Sequence, residues 1–446
     1  MKILLILPAG EKVRVTPERP EVPNRAMLRF SVLSLTSVAA LTPQRHEVRI
    51  VDENVEPLDF ESDVDLVGIT FMTALAPRAY EIASQFRARG KFVVGGGFHP
   101  TLCPDEAAEH LDAVIIGDAE GAWERLLQDI EAGQPRKVYE GDACPGGTIR
   151  PPTPRRELLA STAQHYVTIH AVQTGRGCQH NCRYCSVTAF HRRSFRQRPI
   201  GDVVAELRAV PRDFIFVDDN IIRSPQYARD LFRELVPLRK RWVTQCSIEI
   251  ADDPELLALA HAAGCCGLFI GIETANPDNL AGVGKQFNES GRYRERLRRI
   301  RSQGIGVVAG MMVGLDRDDP GVFENCLRFL QRHRIDGLQL NIVTPLPGTP
   351  LFNDMQRTGR ITDYQWDHYD FRHVVFQPGN IGAAQLQEGA DWLYAQFYRL
   401  DRVLLRFLRT WWTCGWLPAL LAIRLGLTYR YDNRRESIKG RNPARK

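Results

Sequence analysis

Short apolar runs rich in β-formers alternate with helical patterns from the first residues of the chain. Residues 2–7 (KILLIL), 47–51 (EVRIV), 65–71 (DLVGITF), 91–94 (KFVV) and 113–116 (AVII) predict strands buried on both faces. Helical spacing recurs near 28–41, 77–89 and 120–131. Strands alternating with helices predict a doubly wound, flavodoxin- or Rossmann-like parallel sheet, whose ligands bind beyond the carboxyl ends of the strands. The residues to weigh there are Thr70 and Thr73, then Gly95, Gly96, Gly97 and His99, then Gly117 and Glu120.

Between 133 and 156 the glycines and prolines are too dense for a helix or a central strand. A linker over 133–160 therefore separates a first domain, 1–132, from a second. Strand patterns return near 167–173, 213–217, 242–249, 267–272, 305–312 and 336–343, with helical patterns at 225–239, 254–263, 289–303 and 319–333. Six such units predict a partial (β/α)6 barrel of TIM type over 161–350, with chemistry on the loops after the strands. Residues 351–446 then form a C-terminal helical extension. Within it Thr410 to Ile423 is an uncharged run of 14 residues carrying Trp411, Trp412 and Trp416. It is shorter than the roughly 20 residues that cross a bilayer, and Pro418 interrupts it, so it lies on something apolar.

Composition narrows the class. The chain has 446 residues, 44% hydrophobic and 25% charged, which is ordinary globular usage. A net charge of +5 is too small for a protein whose main partner is a nucleic-acid backbone. The apolar run before Pro8 is shorter than a signal-peptide core, so a cytoplasmic location is expected. The ten cysteines of a cytosolic chain are then not a disulfide framework, and their spacing carries the information.

Three of them, Cys178, Cys182 and Cys185, lie within eight residues, directly after the first predicted barrel strand. Thiolates are soft ligands that select zinc or iron–sulfur clusters. A zinc knuckle would complete itself with His180 or His191. A 4Fe-4S cluster on three cysteines would keep one iron open, and the catalytic end of a barrel favours that use.

The C-x3-C-x2-C spacing, with Tyr184 before the last cysteine and a barrel behind it, resembles the radical S-adenosylmethionine superfamily. The resemblance implies that the open iron chelates the cofactor's methionine and that reductive cleavage gives a 5′-deoxyadenosyl radical. It also implies S-adenosylmethionine contacts from Tyr184, from Asp218, Asp219 and Asn220 after the second barrel strand, and from Ser247 and Glu249 after the third. Glu273 after the fourth strand, and Met312 and Gly314 after the fifth, join them. Asp219 or Asn220 would equally serve as a helix cap, and Glu273 as a buried ion-pair partner.

The N-terminal domain resembles the cobalamin-binding domain of the cobalamin-dependent branch of that superfamily. The likeness runs from the first strand through Gly95–Gly97 with His99, Pro100 and Thr101, and through Gly117–Glu120, to Pro345–Pro350. It assigns the corrin to Thr70, Thr73, Gly95, Gly96, Gly97, His99, Gly117 and Glu120. The loop after the first strand, Pro8 to Arg25, holds no histidine, so the resemblance implies a cobalt without the histidine that many cobalamin proteins supply, the alternative being a domain that has lost cobalamin.

The resulting reading is a cobalamin-dependent radical enzyme that methylates an unactivated carbon of an apolar substrate, a lipid or a tetrapyrrole. One S-adenosylmethionine methylates the corrin, and a second yields the radical that abstracts hydrogen from the substrate. A flavodoxin or ferredoxin would be the reductant. The alternatives are a radical cyclase or oxidase without methyl transfer, and a non-catalytic corrinoid-binding sensor. Residues 430–446 carry seven Lys/Arg against Asp432 and Glu436, which adds peripheral association with the inner face of a membrane to the expectations.

Overall fold

The computed structural model describes residues 1–21, 29–30, 32–141, 147–178 and 180–440, the last ten of these as backbone alone. Residues 28 and 31 of the expected 28–41 helix, the linker residues 142–146 and the basic residues beyond 440 lie outside the described residues, and Phe30 bridges to Thr168, so that helix begins at Leu33.

The first domain is a six-stranded parallel sheet of β1 (Lys2–Leu7), β2 (Glu47–Asp52), β3 (Leu66–Thr70), β4 (Phe92–Gly96), β5 (Ala113–Ile116) and β6 (Val138–Glu140), in the order β2-β1-β3-β4-β5-β6. Strand order reverses between β1 and β3, which opens the crevice where such sheets bind ligands. Helices α1 (Leu33–Leu41), α2 (Ala76–Arg87) and α3 (Ala122–Glu131) cover the faces. On α3, Ala122, Trp123, Leu126 and Leu127 form the buried stripe, the spacing of one helical face. Strand β6 is a departure from the sequence reading, which left 133–160 as linker. Its three residues, flanked by glycine and proline, suffice for an edge strand although they carry no readable period.

The second sheet, again all parallel, consists of β7 (Ala171–Val172), β8 (Asp213–Phe216), β9 (Arg241–Cys246), β10 (Cys265–Glu273), β11 (Gly306–Val313) and β12 (Gly337–Ile342) in sequential order. The sheet curls without pairing β7 to β12, so the barrel is partial. Its connecting helices are α4 (Ile200–Ala209), α5 (Pro225–Leu235), α6 (Pro254–Ala262), α7 (Tyr293–Ser302) and α8 (Val322–Arg332). Proline opens α5 and α6, where its missing N–H is not needed, and the Asp253 carboxylate accepts from Leu256 N–H at 2.9 Å as N-cap of α6.

Strand β7 is far shorter than the expected 167–173. Beyond Val172 the chain turns out of the barrel, and Gly175–Gly177 pairs antiparallel with Phe195–Gln197 in a small separate sheet. Helices α9 (Ala383–Phe397), α10 (Leu400–Cys414) and α11 (Trp416–Gly440) follow the barrel. They pack at the amino ends of β11 and β12: the Tyr398 hydroxyl accepts from Leu338 N–H at 2.9 Å and donates to its carbonyl at 2.7 Å, and Pro418 lies against Gly306. Among the described residues no helix is long and apolar enough to cross a membrane.

Candidate functional site

Cys178, Cys182 and Cys185 occupy the loop at the carboxyl end of the barrel. Backbone geometry fixes its start: Gly177 has φ +86°, and a Cβ there would run into the Ser194 carbonyl. Asp218 and Asp219, after β8, hold the same segment. The buried Asp218 carboxylate accepts from Thr174 N–H at 3.0 Å, Thr174 Oγ1 at 2.6 Å and Gly175 N–H at 2.8 Å, and Asp219 accepts from Gly177 N–H at 3.1 Å. Burial raises Asp218 to about 7 and Asp219 to about 6, with those hydrogen bonds opposing the rise. Asp218 was expected to meet the methionine amine. In the structure it accepts from the residues leading into the cysteine loop.

Burial raises Cys178 and pushes Cys182 up to about 12, with Lys285 opposing at Cys182, and the neighbouring thiols of the loop add to the rise at both. Three free thiols on one loop, Cys182 buried and Cys178 and Cys185 partly so, are a soft donor set for a polynuclear cation bound by all of them, which fits a 4Fe-4S cluster. Either of two histidines could complete a zinc knuckle, and each has contacts of its own. His180 stacks on Phe287 at 4.1 Å with its Nε2 3.9 Å from Glu249, and the Nδ1 of His191 lies 3.1 Å from Arg196 Nη2.

Glu273 ends β10 in the left-handed region, φ +64°, at a break in the pairing register with β11. A non-glycine residue held there at a strand end marks stored strain. Its carboxylate pairs with Lys285, a buried ammonium that the sequence reading missed and whose Nζ also reaches the Tyr184 hydroxyl at 3.5 Å. Asn288 and Tyr293 hold the Ile272 carbonyl from behind, each at 3.1 Å. A cavity of about 220 Å³ opens here, lined by Tyr184, Glu273 and Met312, with Gln245, Gln339 and Asn341 from the barrel strands. Other expected contacts fall outside it. Asn220 accepts from Ser247 N–H at 3.0 Å and ties two strand ends together, and Glu249 turns to His180. Gly314, with φ +94°, packs under Leu386 and Phe376 of the C-terminal segment rather than facing a ligand.

A larger, mostly apolar cavity of about 450 Å³ lies at the switch point of the first sheet. Thr70, Gly95, Gly96, Gly97, Gly117 and Glu120 line it, together with Leu5, Gly68, Trp123 and residues of α1. Any Cβ on Gly68 would press on Leu5 and lie 3.5 Å from Trp123, and one on Gly97, with φ +102°, would sit 3.1 Å from the Phe71 carbonyl. A slot kept open by glycines between apolar walls fits the flat tail of a cobalamin, with the glycine turns free for the corrin edge. Thr73 and His99 are not among its walls. His99 is fully buried behind the turn, within 3.3 Å of Thr73 Oγ1 and 3.1 Å of the Tyr80 hydroxyl, in a network that Glu106 extends to Trp366. Chain proximity to the glycine turn suggested them, and the turn points them inward.

The far wall of this slot is the barrel itself, through Gln173, Arg176, Phe190, His191 and Val217. Arg176, two residues before Cys178, pairs with Glu120 at 2.8 Å and Asp118 at 3.4 Å, and Arg196 also pairs with Asp118. Burial works against ionisation of Asp118, but the charges of Arg176 and Arg196 bring it below the usual carboxylate range. Burial drives His191 down to about 4, with Asp118 opposing, so this imidazole is neutral. The cysteine loop is thereby pinned across the mouth of the slot.

Two family models match this layout: a B12 binding domain over residues 27–127 and the Radical SAM superfamily over residues 172–330. The chain is 32% identical over 385 residues to the bacteriochlorophyllide d C-12(1)-methyltransferase of Chlorobaculum tepidum, covering 84% of each chain. It is 29% identical to the hopanoid C-2 methylase of Rhodopseudomonas palustris, covering 76% of this chain and 67% of that one. In fold it is similar to the radical S-adenosylmethionine methyltransferase TsrM of Kitasatospora setae, solved with cobalamin and a [4Fe-4S] cluster. That match has a TM-score of 0.69 at 17% identity and covers 98% of this chain and 99% of that one.

Proposed function

The chain belongs to the cobalamin-dependent radical S-adenosylmethionine methyltransferases, and on that premise we propose that it methylates an unactivated carbon of an apolar tetrapyrrole. The observation that carries the reading is the Arg176 link to Asp118 and Glu120, which sets the cysteine loop against the cobalamin slot. Radical formation and methyl delivery must act on one carbon, and they need a shared, water-poor space.

When bound, the cluster and S-adenosylmethionine supply a primary carbon radical, and cobalamin supplies a methyl group that a substrate radical can take. Cys178, Cys182 and Cys185 would hold three irons. Glu273 and Lys285 present opposite charges beside them, matched to the ammonium and carboxylate of a methionine moiety. Asp218 and Asp219 hold the loop rather than the ligand. Thr70, Gly96 and Gly117 would carry the corrin edge, and Leu5, Gly68 and Trp123 its tail. Gln245, Gln339 and Asn341 would orient polar groups of the substrate, while Phe269, Met312 and Phe371 exclude water around it.

The substrate class rests on the relatives, one of which acts on a bacteriochlorophyllide and another on a hopanoid, both apolar polycycles. A molecule of that kind partitions into bilayers, so the reading includes work at the inner surface of a membrane. A flavodoxin or ferredoxin would deliver the electron. The test is anaerobic turnover of reconstituted enzyme with methyl-deuterated S-adenosylmethionine, offering a bacteriochlorophyllide and a hopanoid side by side. Labelled methyl should appear on the tetrapyrrole, and a labelled hopanoid, or no labelled product from either, overturns the substrate class.

A further inference from the structure

Helix α10 leaves a large apolar side uncovered. Its inner side, Val403, Arg406 and Thr410, packs on the fold, with the Arg406 guanidinium 3.9 Å over the Phe397 ring. Its outer side presents Leu400, Leu404, Leu405, Leu408, Trp411 and Trp412 to solvent, Leu405 65% exposed and Trp412 91%. Trp416, at the start of α11, extends the patch through aromatic contacts with Phe407 at 5.8 Å and Trp411 at 5.9 Å. A contiguous apolar surface of this kind marks an interaction site rather than ordinary scatter.

Charge selects the partner. Arg424 is exposed on α11, and residues 430–446 carry seven Lys/Arg against two acidic residues. A second copy of the chain brings the same excess of basic residues, whereas an anionic lipid surface neutralises them. Tryptophan and leucine exposed on one side of α10, with Arg424 exposed on α11, suit the headgroup boundary of a bilayer. Position in the fold adds an orientation. Helices α10 and α11 close the amino ends of β11 and β12, and the cysteine loop leaves the carboxyl ends.

We infer that the outer side of α10, with Trp416, lies on an anionic bilayer and turns the cysteine-loop end of the barrel away from it. This inference rests on the membrane placement proposed above and gives it a surface. It also means that an apolar substrate reaches the cavity from the aqueous side, carried or released there, rather than sliding in from the acyl chains below.

The test is flotation of the full chain with vesicles of phosphatidylcholine and phosphatidylglycerol, beside a Leu405→Gln/Trp412→Gln double variant. Both positions are exposed, so the variant should fold, which circular dichroism and cobalamin binding check. The wild-type chain should float at low salt, the variant should stay at the bottom with about a tenfold loss in the floated fraction, and brominated acyl chains should quench wild-type tryptophan emission. Equal flotation of the variant overturns the surface while leaving membrane placement standing. A wild-type chain that stays at the bottom overturns both. A wild-type dimer in sedimentation that the double variant dissociates assigns the patch to a second copy and also overturns the inference.

Discussion

Asp218 shows what a carboxylate at a strand end can bind within its own chain. A carboxylate at the carboxyl end of a barrel strand is a natural partner for a cationic ligand, but the nearest donors here are Thr174 and Gly175 of the next loop. Its raised value has a thermodynamic consequence. From near 4, the ordinary carboxylate value, up to about 7 the folded protein keeps a proton that the unfolded chain has released. Stability from this group is therefore full at low pH and falls as pH rises through that window. Asp218→Asn retains an acceptor and cannot ionise, so the metal-free variant should lose this fall. Thermal unfolding of both proteins between pH 4 and 8 checks it, and parallel curves would rule the assignment out. Lys285 and Arg176 were missed in the sequence reading. Each acquires meaning only from partners distant in sequence, Arg176 from Asp118 and Glu120 and Lys285 from the cysteine loop. Gln339 and Asn341 were legible, as polar residues two apart in an otherwise apolar strand, facing one side of β12.

The glycine turn after β4 is the element on which the cobalamin slot depends. Gly97→Ala would force a side chain onto a φ of +102° and within 3.1 Å of the Phe71 carbonyl, at a cost of about 1–3 kcal/mol. We expect the variant to fold and to bind cobalamin at least about tenfold more weakly, read by equilibrium dialysis, whereas Gly90→Ala, with open space around it at φ +71°, should leave binding unchanged. The same element bears on the cobalt ligand. The first loop has no histidine, and the imidazole on the slot wall, His191, has its Nδ1 beside Arg196. Bound cob(II)alamin should show no nitrogen splitting from a protein imidazole, and such splitting would contradict the reading. Period and breaker residues sufficed to read every strand of the two large sheets except the edge strand β6 and the true extent of β7. They did not reveal α4, nor the departure of the chain from the barrel after Val172, which Asp218 and the small separate sheet decide.

At the scale of the whole molecule, the two domains act as one site because a buried ion-pair group joins them. Arg176→Met leaves Glu120 without its arginine and Asp118 with Arg196 alone, a loss of about 3–5 kcal/mol for a buried pair broken on one side. Calorimetry should then separate the melting of the domains, while Arg45→Met, which removes an exposed pair with Glu131, should leave a single transition. A single unshifted transition in the Arg176 variant would deny the ion pairs their role. The account stands finally on the three cysteines. Reconstituted protein, reduced without oxygen in the presence of S-adenosylmethionine, should form 5′-deoxyadenosine, and the Cys178→Ala/Cys182→Ala/Cys185→Ala variant should form none and lack iron–sulfur absorbance. Continued 5′-deoxyadenosine formation by that variant would contradict the account.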